Sequence, residues 1–254
     1  MKATCFTFNL SERKHFNLST KVIYLHHSSF AVKTASHFFI FDYYMDIPHG
    51  GGLAEGVINP EEISDENVVV FTSHHHPDHY SPRIFRWRSK VGMIRYVLSG
   101  DIKTSEEASF IKAGQKIDLG DLQVSALKST DIGVAFLIKA DGLCIYHAGD
   151  LNWWKWNEDT KAEQKQAGEN FMDQIGLLKG EKIDLAFLPA DPRQGSDALL
   201  GFDYFMRTVG AKHAVPMHSF GQTDFFRCLK ADRRTAEYRS KIWIYSKRGD
   251  KMSF

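Results

Sequence analysis

The stretch Asn67-Val68-Val69-Val70-Phe71-Thr72-Ser73-His74-His75-His76-Pro77-Asp78-His79 decides how the rest of the chain is read. Residues 67–72 are apolar almost throughout, whereas a strand with one wet face alternates, so this one is expected to be buried on both faces. The seven residues after it hold four of the chain's twelve histidines. In an extended segment His74 and His76 point to one side and His75 to the other. Two imidazoles on one face can converge on one cation, and Asp78 and His79, just past Pro77, reach an adjacent position. Such a nitrogen and oxygen donor set suits a borderline metal such as zinc. Strand ends are also where sites form in α/β sheets. A solvated polar loop or an engineered histidine tract is the competing reading, but a tract would not set an Asp two residues after a His-x-His pair at the end of a buried strand.

Working outward, residues 21–26, 29–33 and 37–41 are strand-like runs rich in Val, Ile, Phe and Tyr, close enough together to pair as a meander with 68–72 beyond them. Residues 46–66 carry Gly50, Gly51, Gly52, Gly56 and two prolines and read as a loop. Past residue 120, strands are expected at 122–126, 134–139 and 143–147. A helix over 159–178 follows, with Phe171, Met172, Ile175 and Leu178 at helical spacing. Then come a strand at 183–189, a helix near 196–209, a strand at 212–217, a helix near 223–239 and a last strand at 241–245. Strand clusters followed by strand–helix alternation, in both halves, imply two mixed sheets packed face to face with helices outside. One domain over residues 1–254 is expected.

Thirty-two Lys and Arg stand against 31 Asp and Glu, a formal charge of +1, which calls for no acidic polymer as an obligatory partner. Hydrophobic residues make up 43% and aromatics 13%, enough for a substantial core. Cys5, Cys144 and Cys228 are odd in number and far apart, fitting neither a disulfide framework nor a cysteine-based zinc module, so a reducing, cytoplasmic setting is expected. No apolar run approaches the ~18–20 residues that span a bilayer, and the N-terminus lacks the apolar core of a signal peptide. The Asn-Leu-Ser triplets at Asn9 and Asn17 would be glycosylated only on a secretory route. Residues 227–251 hold nine basic and three acidic side chains; a solvated face accounts for them better than contact with nucleic acid.

His74-His75-His76-Pro77-Asp78-His79 has the form His-x-His-x-Asp-His, and on it the chain resembles the metallo-β-lactamase superfamily over about residues 22–221. The order of landmarks is similar too. Tyr24-Leu25-His26-His27-Ser28-Ser29-Phe30 looks like the early strand turn of the lactonase-like branch, with His26 where that branch usually has Gly. Phe39-Ile40-Phe41-Asp42 resembles a strand ending in an Asp that holds a histidine ligand from behind. Ile145-Tyr146-His147-Ala148-Gly149-Asp150 resembles the strand ending in a bridging Asp, and Val215-Pro216-Met217-His218 the strand bearing the last His. Within the superfamily these pieces are most similar to the branch containing ascorbate-6-phosphate lactonase and the N-acyl-phosphatidylethanolamine phospholipase D type. The resemblance implies a four-layer αβ/βα sandwich and one or two zinc ions, with manganese as the alternative. It puts His74 and His76 in one half-site, Asp78, His79 and His218 in the other, and Asp150 between them.

One landmark is absent: no His lies between His79 and His147, where the family supplies a third ligand to the first metal. That region reads Lys128-Ser129-Thr130-Asp131-Ile132-Gly133, leaving Asp131 or a water to fill the place. Several other residues stay open. Asp42 is a turn residue or a support for a ligand, His27 a pocket wall or a structural hydrogen-bonding group, and His147 reads as packed rather than ligating. His15, His37, His49 and His213 have no motif around them. Trp153, Trp154 and Trp156 either flank the mouth of the site or anchor the next helix, and Arg193 reads as a surface ion pair before it reads as an anion clamp.

The expected function is metal-dependent hydrolysis of a small ester, lactone or phosphodiester, with Asp78 as the candidate proton acceptor. The rivals are a nuclease, an iron oxidoreductase using the same pocket, and a non-catalytic metal-binding protein. A ligand set without Glu argues for zinc or manganese over iron.

Overall fold

The computed structural model describes residues 19–254; the readings made for Cys5, Asn9, His15, Asn17 and the N-terminal signal lie outside them. The first half supplies β1 (Lys21–His26), β2 (Ser29–Lys33), β3 (Phe38–Phe41), β4 (Asn67–Thr72), β5 (Met93–Ser99) and β6 (Ser109–Ile111). The second supplies β7 (Lys116–Asp118), β8 (Leu122–Lys128), β9 (Val134–Ala140), β10 (Leu143–His147), β11 (Leu185–Pro189) and β12 (His213–Met217), with β13 (Lys251–Ser253) at the end. Two mixed sheets result, in the orders β13-β1-β2-β3-β4-β5-β6 and β12-β11-β10-β9-β8-β7. Each changes from antiparallel to parallel pairing partway across: β1, β2 and β3 form the expected meander and β3 to β6 run parallel. In the other sheet β7 to β10 are antiparallel and β10 to β12 parallel. With helices outside, this is the four-layer αβ/βα sandwich.

Why β4 needs no polar face is visible in its packing. Val69 and Phe71 join the core between the sheets, while Val68 and Val70 join the core on the outer side of the first sheet, and all four are 0% exposed. The outer layer over this sheet consists of short 3₁₀ turns, Leu53–Glu55, Pro60–Ile63 and Pro82–Ser89. In two of them a proline opens the turn and the residue before it caps it: Asn59 accepts from the Glu61 N–H and Ser81 from the Arg83 N–H. Over the second sheet lie α1 (Lys161–Gly176) and α2 (Leu200–Thr208), with α3 (Phe225–Ala231) further along. A capping box between Thr160 and Glu163 starts α1, and its Phe171 and Ile175 are buried.

Three expected elements differ. The helix near 196–209 is a 3₁₀ segment, Pro192–Asp197, followed by α2. The helix near 223–239 is only α3 followed by 3₁₀ turns. No strand forms at 241–245: Ile242 makes a single parallel bridge with Ala214, with the Trp243 N–H donating to the Ala214 carbonyl at 2.9 Å. The next rung would need an N–H from Pro216, which has none. No helix among the described residues is long and apolar enough to cross a membrane. Cys144 and Cys228 are both free thiols.

The two sheets are tied at one end by His37, just before β3. Its Nδ1 lies 2.9 Å from Asp141 and its Nε2 3.0 Å from Asp121, two carboxylates on hairpin turns of the opposite sheet. Arg95 of β5 donates twice to the same Asp121, at 2.7 and 2.8 Å. The C-terminal ends of β3, β4, β10, β11 and β12 gather at the other end.

Candidate metal centre

Each of those strand ends delivers at least one polar side chain. Asp42 follows β3, and Ser73 through His79 follow β4. Asp150 follows β10, Asp191 follows β11 and His218 follows β12. His27, in the turn between β1 and β2, completes the ring. Tight turns are needed to crowd so many groups together: among the described residues five non-glycine residues have positive φ, and four of them, His27, Asp42, His218 and Phe220, are in this site. Two glycines make room for Ser73. A Cβ on Gly149 would lie 2.6 Å from the Ser73 Cβ, and one on Gly133 would lie 2.0 Å from its carbonyl oxygen. Their absence lets β9 and the β10 turn close on the histidine segment, and the Val134 N–H donates to that carbonyl at 2.9 Å.

Two groups of donors result, each with its ligand atoms within 4.8 Å of one another: His74, His76, Asp131 and Asp150, and His27, Asp78, His79 and His218. Asp150 stands between the groups. Its Oδ2 is 3.4 Å from His74 Nε2, and its Oδ1 is 3.3 Å from His79 Nε2 and 3.2 Å from His218 Nε2. Asp131 approaches His76 Nδ1 at 3.7 Å. Thr130 both donates to the Asn152 carbonyl and accepts from its N–H, at 2.7 and 3.0 Å, which holds this loop against the Asp150 turn. The structure therefore brings together all six residues singled out in the sequence, and Asp131 with them. His147 stands apart: it accepts from the Gly149 N–H, donates to the Ser28 carbonyl and stacks on Phe41.

The outward nitrogens are held by a second set of groups. Asp42 accepts at Oδ2 from His79 Nδ1 (2.8 Å) and from the Ser73 hydroxyl (2.7 Å), and at Oδ1 from the Ser73 N–H (2.7 Å). Having donated its only proton to Asp42, the Ser73 hydroxyl accepts from His74 Nδ1 at 2.9 Å. Asp191 takes His218 Nδ1 at 3.0 Å. So His74, His79 and His218 each carry a proton on Nδ1 and turn Nε2 inward, the arrangement that supports metal-ligating histidines. The inward atoms lack partners: His27 Nε2, His74 Nε2, His79 Nε2 and Asp150 Oδ1 are buried with no hydrogen bond. Buried polar atoms are nearly always satisfied. Of the four, His74 Nε2 and His79 Nε2 face the Asp150 carboxylate, and this set of imidazole and carboxylate lone pairs fits one or two divalent cations.

Electrostatics agree with this. Burial alone would raise the Asp150 carboxyl, but the imidazoles of His79, His218 and His74 outweigh it and hold it well below the usual carboxylate range. Burial would lower His218, but Asp150 and Asp191 on either side push it up to about 10. Asp78 is likewise depressed, its burial outweighed by His27 and His79.

A cavity of about 400 Å³ opens onto the cluster, bordered by His76, Asp78, Asp131, Asp150 and His218 on its floor and by Trp154, Trp156, Arg193 and Phe220 on its walls. The tryptophans divide the two roles left open for them. Trp154 donates from Nε1 to the Asp150 carbonyl, lies 5.3 Å from the His218 ring and stacks parallel on Trp156. Trp153 packs on Phe171 of α1 and Tyr204 of α2. Arg193, read from sequence as a surface ion pair, does pair with Asp191, but its guanidinium also lies over the rings of Phe220 and Trp156 at the cavity wall.

The fold and this constellation define the class. The family model of the beta-lactamase superfamily domain matches residues 21–167, more than half of the chain, and the protein belongs to the metallo-β-lactamase superfamily. No curated protein matches it. Among solved structures it is similar to Igni18, a metallo hydrolase from Ignicoccus hospitalis, with 16% identity, 93% of this chain and 98% of that one covered, and a TM-score of 0.63. It is also similar to the metallo-β-lactamase fold protein YhfI from Bacillus subtilis, with 15% identity, 93% and 100% coverage and a TM-score of 0.58. A third is a variant of the CmlA β-hydroxylase of Streptomyces venezuelae, with 12% identity, 95% of this chain and 55% of that one covered, and a TM-score of 0.56. At these identities the likeness is one of fold.

Proposed function

We propose that this protein is a metal-dependent hydrolase acting on a small ester, lactone or phosphodiester. The observation that carries the reading is that the buried, unpartnered His74 Nε2 and His79 Nε2 turn toward the Asp150 carboxylate, which itself lines a solvent-open cavity with His76, Asp78, Asp131 and His218. His74, His76, Asp131 and Asp150 Oδ2 would hold one cation; Asp78, His79, His218 and Asp150 Oδ1 the other. Zinc suits the second set, with two imidazoles and two carboxylates, while Asp131 in place of an imidazole hardens the first toward manganese.

When bound, a divalent cation supplies Lewis acidity, making a water acidic and polarising the substrate oxygen. The chain's own groups do the rest. Asp78, half-buried beside the cavity, is the carboxylate nearest to accept a proton from an attacking water. Asp42 and Asp191 fix the imidazole orientations. Arg193, held by Asp191, offers a cation to an acidic substrate group, and the parallel Trp154 and Trp156 rings offer a flat apolar wall. The resemblance to the lactonase and phospholipase D branch favours the same substrate classes, and the cysteine usage favours a cytoplasmic setting.

The basic side chains of 227–251 speak against the nuclease reading, since several are engaged internally. Lys230 donates to the Ile242 carbonyl, Arg239 to that of Asp232, and Arg248 to those of Leu25 and Gly56, while Arg234 pairs with Asp232. The deciding experiment is elemental analysis of purified protein beside a panel of ester, lactone and bis-phosphodiester substrates. One to two equivalents of zinc or manganese with turnover of at least one class is expected. Iron as the sole metal, or metal without turnover of any class, would favour the oxidoreductase or the binding protein.

A further inference from the structure

His27 stands in the second donor group as if it were a fourth chain ligand, but its hydrogen bonds are the reverse of its neighbours'. Where His79 and His218 present Nδ1 to carboxylates that can only accept, His27 presents Nδ1 to the Phe220 backbone N–H, which can only donate, at 3.1 Å. A nitrogen that accepts carries no proton, and a neutral imidazole has one N–H, so the proton of His27 is on Nε2. That Nε2 faces Asp78 Oδ2 at 3.5 Å. It offers a proton where a metal ligand must offer a lone pair.

We infer that His27 holds no metal: it is a positioning residue whose Nε2–H is directed at the Asp78 carboxylate. This rests on the hydrolase reading only for the role of Asp78. Turning the ring over would put carbons where Nδ1 and Nε2 stand and forfeit the hydrogen bond from the Phe220 N–H. Phe220 stacks on it with centroids 3.9 Å apart while donating to it, and the His218 N–H donates back to the His27 carbonyl at 3.3 Å. Both His27 and Phe220 hold positive φ, 54° and 48°, so the two turns are shaped to make this contact. The ligand count agrees. Asp78, His79, His218 and the Asp150 oxygen already make the four donors that zinc prefers, so the set is complete without His27.

Three measurements on the full chain test this. In ¹⁵N-histidine NMR spectra of the metal-free protein, His27 is expected to show the Nε2-protonated pattern, and an Nδ1-protonated ring would overturn the inference. In metal titrations with zinc alone, His27→Gln is expected to keep the wild-type number of equivalents with Kd changed by less than about threefold, while His79→Gln loses one equivalent. Loss of an equivalent by His27→Gln would overturn it. On whichever substrate class is turned over, His27→Gln, whose amide N–H still reaches Asp78, is expected to retain more than about half of kcat. His27→Leu is expected to retain metal and KM but lose at least about tenfold in kcat, and equal kcat for the two variants would overturn the positioning role. The NMR result is read without metal, so wild-type protein that took up no zinc would count against the hydrolase reading and leave the state of His27 still decided.

Discussion

Asp78 and Asp131 separate the two demands on a carboxylate at this site. Asp78→Ala removes a donor of the second group and the nearest proton acceptor, so hydrolysis is expected to fall to background even where one cation stays bound. Near wild-type kcat would refute the assignment. Asp131→Ala should strip metal preferentially from the His74/His76 group, and dialysis against a mild chelator should already empty that group first in the wild type. Two equivalent tight sites by titration would contradict this. His218 sets the pH dependence. Flanked by Asp150 and Asp191 and pushed up to about 10, it carries a proton at neutral pH in metal-free protein, and a cation must expel that proton to bind. Affinity should therefore rise with pH, by up to about tenfold per unit, until about pH 10. Because the folded pKa lies above the unfolded value of about 6.5, the charged ring stabilises the metal-free fold most below pH 6.5, and this contribution is lost as pH rises toward 10. Calorimetry in two buffers of different ionisation enthalpy would read the released proton, and pH-independent binding without release would exclude it.

Among the elements, the turns bearing the candidate ligands depend on glycines that the histidine motif does not reveal. Gly149→Ala forces a Cβ against Ser73 at φ +51, at a cost of about 1–3 kcal/mol from overpacking alone, read as a lower Tm and weaker metal retention. An unchanged Tm would mean that Ser73 is free to move. Strands β1, β2 and β10 could be read from sequence to the residue, because their apolar runs are bounded by turn-formers. The three-residue strands β6, β7 and β13 could not, being too short to show any period, and Arg95 interrupts β5 to serve the His37 cluster. At the site, the candidate ligand positions were visible because they sit together in one motif or at the ends of apolar strands. The nature of His27 was not, because it is decided by a backbone N–H from Phe220, 193 positions away.

For the molecule as a whole, the two sheets are joined at both ends, by His37 with its two carboxylates and by the candidate metal centre. His37→Ala leaves Asp121 and Asp141 without their shared donor, and a loss of about 1–3 kcal/mol is expected. Unchanged denaturant stability would show that Arg95 and Thr34 satisfy them alone. At the other end, His74 and His79 follow a strand of one sheet and Asp150 and His218 follow strands of the other, so a bound cation should stabilise their packing. Free metal at a thousand times its Kd contributes about 4 kcal/mol, on the order of 10 °C in Tm for a chain of this size. A Tm indifferent to chelator would argue against the centre.

Strand β13 pairs with β1 in the register Lys21 to Ser253, so the first strand described receives its outer neighbour only after all the other strands described have been made. At about 5–20 residues per second, a ribosome needs on the order of ten seconds or more to produce the intervening chain. Throughout that time the outer edge of β1 offers unpaired backbone groups to any passing strand. The interval during synthesis, more than the finished protein, is when this chain is most exposed to association with its own copies, and slower translation would lengthen it.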